Sequence, residues 1–222
     1  MAARRWANIR ATATDAPVIT DHAEVDPACL RAVDQAVALL DALGHDVAEA
    51  PVPFPADDWD AFAALWSVGA LSAPIPPGAE DLLTPLTRWL RATGREQTGL
   101  AYAQAIAGMQ RVTQRVATAW DAFDVVLTPT LAQPPALVGS IRDDTDPAGD
   151  FAEQCRFTPW TSIANLTGRP SVSLPLGWTE DPLPVGVMLT GRLGDDALLL
   201  ALSAQLEAAE PWHDRRAPDP IA

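Results

Sequence analysis

Apolar residues recur along this chain at helical intervals, interrupted by short β-rich runs. Asp26-Pro27 pairs a capping acid with a first-turn proline, and Leu30, Val33, Val37, Leu40 and Leu43 follow at helical spacing until Gly44. This pattern predicts a helix. His45–Ala50 then reads as a strand, ended by Pro51, Pro53 and Pro55. An earlier strand is expected near Trp6–Ala13, with a loop through Pro17 and His22. Asp57 is placed to cap a helix with Trp59, Phe62, Leu65 and Trp66 on one side. The proline-rich Ala73–Gly78 stretch breaks the pattern. Leu82, Leu83, Leu86, Trp89 and Leu90 mark a short amphipathic helix ending near Gly94. The longest helix is expected from about Thr98 to Ala122, with Tyr102, Ile106, Met109, Val112, Val116 and Trp120 along its buried stripe.

In the second half, Val125-Val126-Leu127 predicts a buried parallel strand over Asp124–Thr128. Pro129–Gly149 reads as a long loop holding Asp143, Asp144 and Asp146, with Asp150 just beyond. A calcium loop counted from Asp144 puts Ala148 fifth and Cys155 twelfth, where oxygen ligands are needed. The acids therefore read as a solvated loop. Thr158-Pro159 starts a helix through Leu166 that Gly168 closes. Strands follow at Ser171–Pro175 and Val185–Thr190, separated by a turn around Trp178–Pro182. Gly194-Asp195-Asp196 opens a last helix with Leu198, Leu199, Leu202 and Leu206, and Trp212 is placed to fold back onto the body. The alternation predicts an α/β fold, a mixed sheet flanked by helices, over residues 1–222 as a single domain.

Composition narrows the function. Apolar residues make up 48% and charged residues 20%, a globular balance. A net charge of −14 argues against nucleic acid and anionic membrane as partners. Cys29 and Cys155 fit no metal-spaced pattern and read as small buried hydrophobes in a reducing compartment. No apolar run follows Met-Ala-Ala-Arg-Arg-Trp, so no secretory signal or membrane span is read there, and a cytoplasmic protein is expected. Neither a metal nor a cofactor is expected.

Candidate chemistry is sparse. All 15 basic residues are arginine, and the chain has no lysine. Arginine stays protonated in proteins and cannot stand in for a proton-shuttling lysine. There is no Gly-Ser-Ser-Gly or Gly-x-Ser-x-Gly run, and Ser140, Ser162, Ser171 and Ser203 lie outside glycine-rich turns. Nothing local marks His22, His45 or His213 as a base, and they read as surface or capping residues. No catalytic residue is assigned.

Three blocks nevertheless resemble the amidase signature family. They are Phe123-Asp-Val-Val-Leu-Thr-Pro-Thr130, Ala164-Asn-Leu-Thr-Gly-Arg-Pro-Ser-Val-Ser-Leu-Pro-Leu-Gly177, and Leu183-Pro-Val-Gly-Val-Met-Leu-Thr-Gly191 followed by Gly194-Asp-Asp-Ala-Leu-Leu-Leu. Ala42-Leu-Gly-His-Asp-Val47 is similar to the family's helix-to-strand joint. The resemblance spans nearly the whole chain and implies the carboxy-terminal half of a protein about twice as long. It implies an amide hydrolase acting through a Ser–Ser–Lys relay that these residues do not contain.

The same resemblance implies that this half supplies sheet scaffold and one wall of a pocket for a small-molecule amide. The residues implied to meet substrate are Thr128, Thr130, Thr158, Trp160, Thr161 and Asn165. Thr158 stands where glutamyl-tRNA amidotransferases, which resemble this helix, have an aspartate suited to an amino group. That departure speaks against glutamine as substrate. The expected partner is an amino-terminal half-amidase chain, or a second copy through self-association. A non-catalytic remnant or regulatory module of the same fold is the alternative reading.

Overall fold

The computed structural model describes residues 5–8, 23–53 and 59–216, with side chains of 5–8 and 59–61 excepted. The predicted loop through Pro17 and His22, the Asp57 cap and the side chain of Trp59 lie outside the described residues. Of the expected Trp6–Ala13 strand, the described part is β1, Arg5–Asn8. The chain continues through α1 (Pro27–Ala42), β2 (Asp46–Glu49) and α2 (Trp59–Ser72). A 3-10 turn at Glu80–Leu82 leads into α3 (Pro85–Glu96) and α4 (Gly99–Trp120). Next come β3 (Val125–Pro129), α5 (Pro147–Phe157) and α6 (Thr161–Thr167). The final elements are β4 (Ser171–Trp178), β5 (Pro184–Gly191) and α7 (Asp196–Ala209).

The sheet is mixed, in the order β2-β1-β3-β5-β4. β1 runs parallel to both β2 and β3, while β5 is antiparallel to β3 and β4. Strand alternation divides β3, β4 and β5 between two faces. Leu174, Leu176, Val185, Val187 and Leu189 are buried on the face against which α1 and α7 pack. Val126, Thr128, Met188 and Thr190 are buried on the other.

The capping chemistry read for α1 is present. Asp26 Oδ1 accepts from the Ala28 N–H at 2.7 Å, Pro27 occupies the first turn, and Gly44 takes φ +82° after the helix. Its buried stripe, however, is Cys29, Ala32, Val33, Ala36 and Leu40, with Leu30, Val37 and Leu43 only half-buried beside it. Small residues form the stripe because α1 lies close on the sheet at Gly177, where a Cβ would sit 3.1 Å from the Ala32 Cα. The start of α4 departs from expectation for a similar reason. Ala105 and Gly108 are buried there with Val112, Val116 and Trp120, whereas Tyr102 is exposed.

Three further expectations are corrected. Gly94 does not end α3 but lies inside it. A Cβ there would collide with the Ser67 carbonyl oxygen and approach Leu71 Cβ to 3.1 Å, so the glycine marks close contact with α2. Leu82 and Leu83 precede α3, and Leu82 is exposed. The acidic segment is not simply a solvated loop, because α5 begins within it at Pro147. Asp143 turns the chain by accepting from the Thr145 and Asp146 N–H groups, and Asp146 caps α5 by accepting from Gly149. Asp150 is buried, accepting from Arg142 Nε at 3.2 Å and Gln154 Nε2 at 2.6 Å. The sequence reading missed α5 because an Asp/Gly/Pro-rich start masks its amphipathic turn.

The helix expected to start at Thr158-Pro159 begins instead at Thr161, because Thr158 closes the preceding α5 by donating to the Gln154 carbonyl. Elsewhere the elements match their signals. β4 and β5 run past the predicted limits, Gly168 closes α6 at φ +67°, and α7 buries Leu199, Leu202 and Leu206. Asp195 stands at the N-cap of α7, but its side chain makes no capping bond. Trp212 packs against the core, as expected.

Candidate functional site

β3 brings Thr128 and Thr130 to one end of the sheet. Thr128 is 4% exposed, and its Oγ1 has no hydrogen-bond partner among the described residues. Thr130 follows the strand. Its N–H donates to the Gly186 carbonyl at 3.1 Å, and its Oγ1 lies 2.6 Å from Ser173 Oγ. This cross-strand pair passes over Gly186, where a Cβ would come within 2.7 Å of Ser173 Oγ and 2.8 Å of Thr130 Oγ1. Glycine is needed there because the two hydroxyls occupy the space a side chain would take.

The other predicted residues surround the joint between α5 and α6. Thr158 ends α5 and donates from Oγ1 to the Gln154 carbonyl at 2.8 Å. Thr161 opens α6 and donates to the Thr158 carbonyl at 3.3 Å. Trp160 is 3% exposed and buries its indole N–H without a partner among the described residues. Asn165 is exposed, one turn beyond Thr161.

Thr158, Thr161 and Asn165 line one cavity of about 130 Å³. Thr128, Thr130 and Trp160 do not line it, so the six predicted residues divide between the sheet end and the helical pocket. The opposite wall is apolar: Phe62 and Trp66 from α2, Leu86 and Leu90 from α3, and Phe151 from α5. The Phe62 and Trp66 rings stand 5.1 Å apart, centroid to centroid, and Trp89 packs against Phe151 in a tilted arrangement at 5.9 Å. Gln154, Cys155 and Ser162 complete the lining, which contains no charged side chain among the described residues. Burial raises the Cys155 thiol above its ordinary value, partly offset by the Arg156 charge, so the sulfur is protonated near neutrality.

Sequence reasoning took Phe62, Leu86 and Leu90 for core stripe and missed their place in this wall. One signal was available. The α2 sequence, WDAFAALWSVGALS, is apolar on every side, unlike a surface helix with one apolar stripe. Among its described side chains Ser67 is the buried one, while Trp66 remains 44% exposed.

The apolar wall is held by a buried arginine. Arg91 Nη1 donates to the carbonyls of Ala70, Leu71 and Ala73 at 2.7, 3.1 and 3.0 Å, closing the carboxy-terminal end of α2. Its Nε pairs with Glu80 at 3.0 Å, and Arg95 reaches the same carboxylate oxygen at 2.9 Å. These hydrogen bonds, Arg91 first, hold the Glu80 carboxyl below the ordinary carboxylate range.

The serines and histidines show structural bonding. Ser140, Ser162 and Ser203 donate to the carbonyls of Leu137, Pro159 and Leu199, and Ser171 bonds Thr190. His45, read as a surface or capping residue, is instead buried beside Gln205, with Nε2 3.2 Å from Oε1. His213 is exposed beside Asp214. Cys29 is buried as expected, and Cys155 is only half-buried.

Residues 16–200 match the Amidase family, and the chain belongs to it. The protein named as amidase AmiB2 in Mycobacterium tuberculosis is 33% identical over 187 residues, covering 84% of this chain and 40% of the relative. The 6-aminohexanoate-cyclic-dimer hydrolase of a Pseudomonas species is 31% identical over 209 residues, covering 86% and 42%. The fold is also that of a solved 6-aminohexanoate cyclic dimer hydrolase in complex with its substrate. That likeness has TM-score 0.76 and 24% identity, and covers 96% of this chain and 46% of the other. The chain thus spans less than half the length of these relatives. Among the described residues, no helix is long and apolar enough to cross a membrane.

Proposed function

We propose that this chain is the scaffold and substrate-wall part of an enzyme that hydrolyses a carboxamide. The observation behind this reading is that Thr158, Thr161 and Asn165 line one cavity in a member of the Amidase family. In the proposed reaction, a serine outside these 222 residues attacks the carbonyl and expels the amine. Water then releases the acid from the acyl-serine. The residues contributed here bind and orient the amide, with Thr158, Thr161 and Asn165 facing the substrate, Thr130 at the sheet end beside them, and the buried Thr128 and Trp160 as scaffold. The partner is an amino-terminal half, on the same polypeptide or a separate one, and the enzyme works in the cytoplasm.

One observation supports docking: the apolar α2 leaves Trp66 half in solvent. The 222 residues are proposed to fold as one domain. A non-catalytic module of the same fold is the second reading, favoured by the absence of lysine.

The test compares the chain alone with the chain co-expressed beside the amino-terminal half encoded next to it or supplied from a relative. The chain alone should release no ammonia from a panel of carboxamides and should not react with a fluorophosphonate probe. The reconstituted pair should do both. Stoichiometric labelling of one serine in the isolated chain, abolished by its change to alanine, would overturn the assignment of the nucleophile elsewhere. A pair that assembles but remains inert across the panel would favour the non-catalytic reading.

A further inference from the structure

We infer that the cavity between α2, α3, α5 and α6 is a subsite for an uncharged, apolar substituent about the size of one aromatic ring, with Asn165 placed to bond the attached amide. The inference rests on the amide-hydrolase reading and adds the class of substrate that the site selects.

Size is the first argument. At about 130 Å³ the cavity is close to the ~150 Å³ of an apolar protein cavity known to hold benzene. A ring or a branched four- to five-carbon chain matches that volume. Lining is the second. Phe62, Trp66, Leu86, Leu90 and Phe151 make a wall against which an apolar group is desolvated without loss.

Charge is the third. A cationic or anionic substituent would leave water with no opposite charge among the described lining residues. Asp150, on the same helix as Phe151, is already committed to Arg142 and Gln154. Polar orientation is the fourth. The hydroxyl protons of Thr158, Thr161 and Ser162 are spent on main-chain carbonyls. Asn165 sits at the exposed rim of the same cavity, with no hydrogen bond from its amide to the described residues. A primary amide can both donate to and accept from a carboxamide, which suits the place where the apolar group joins the reacting bond.

The experiment uses three probes of one shape: benzamide, which is neutral, benzamidine, which is cationic, and benzoate, which is anionic. Each is titrated into the isotopically labelled chain at about 0.3 M salt, where long-range attraction to the acidic surface is screened. Benzamide should bind with a Kd on the order of 1 mM, suited to so small a ligand. Its shifts should fall on α2, α3, α5 and α6, and both charged analogues should bind at least about tenfold more weakly.

Leu86→Trp should fill the cavity and abolish these shifts without changing the thermal melt. If that variant does not fold, Asn165→Leu at the exposed rim serves instead, weakening benzamide while leaving toluene unaffected. Absence of benzamide shifts in a well-dispersed spectrum, preference for benzamidine, or unchanged binding by folded Leu86→Trp would each overturn the subsite. Because binding is read without turnover, an inert reconstituted pair would count against the proposed reaction alone. An active pair whose carboxy-terminal part ignores benzamide would count against the subsite alone.

Discussion

Arg91→Met removes the buried guanidinium while roughly filling its volume. Three carbonyls at the end of α2 then lose their donor, and these belong to the groups that a helix end cannot satisfy internally. Glu80 has a way out, because its side chain is 34% exposed and keeps Arg95. The loss therefore comes mainly from the carbonyls, at about 1 kcal/mol each, and from breaking a buried charged network, for a total of about 3–5 kcal/mol. In a chain of this length each kcal/mol shifts the melt by about 2–4 °C, so a fall of about 6–20 °C is expected. Arg91→Lys keeps the charge but cannot reproduce the fork, and should fall between the two. Arg95→Met, removing a half-exposed partner, should stay within about 1 kcal/mol.

Urea unfolding read by circular dichroism gives the free energies, and the benzamide titration reads the pocket wall independently. The pH dependence fixes the sign. Glu80 is held below its ordinary value of about 4.5. Its contribution is present above that value and lost as pH falls through the lower folded-state one. Arg91→Met should flatten that part of the acid limb. A variant within about 1 kcal/mol of the parent, with an unchanged acid limb, would refute the view that Arg91 holds α2 to α3.

Thr128→Val removes a buried hydroxyl without a partner among the described residues, so the isolated chain should gain about 1 kcal/mol in urea unfolding. Destabilisation of the isolated chain would mean that the hydroxyl is already satisfied. The Cys29 thiol is pushed up to about 11, by burial first and then by Asp26. Its contribution is therefore whole below the unfolded value of about 9 and lost as pH rises towards 11, and Cys29→Ala should remove that alkaline dependence in a pH series of melts. Gly186→Ala should separate Thr130 from Ser173, and the loss of any cross-strand contact between these side chains by nuclear magnetic resonance would show it.

Signals confined to a few neighbouring residues were the ones legible in the sequence. Asp26-Pro27 and Gly44 bracket α1, and Gly168 closes α6, because caps act within one turn. The β4–β5 pair was visible because its strands are short, apolar and separated by a turn. What escaped depends on distant segments meeting. The burial of Ala105 and Gly108 instead of Tyr102, and the position of Gly94 inside α3, are set by how closely helices approach. The site was half-legible for the same reason. Thr158, Thr161 and Asn165 are close in sequence and share a cavity, but its apolar wall, Phe151 apart, comes from residues about 70 to 100 positions away in the chain.

The approach of α1 to the sheet has a consequence for how this chain can vary over generations. A methyl group at Gly177 has nowhere to go while Ala32 keeps its own, so the two positions share room for a single Cβ. Gly177→Ala alone should push the helix outward, and Ala32→Gly alone should leave a gap and a glycine in mid-helix at about 1 kcal/mol. Made together, the changes hand the methyl from helix to strand. The double variant should therefore be more stable than the sum of its parts by about 1–3 kcal/mol. A lineage crossing from one arrangement to the other has to loosen the helix first, so its two positions should change as a pair or stay as they are.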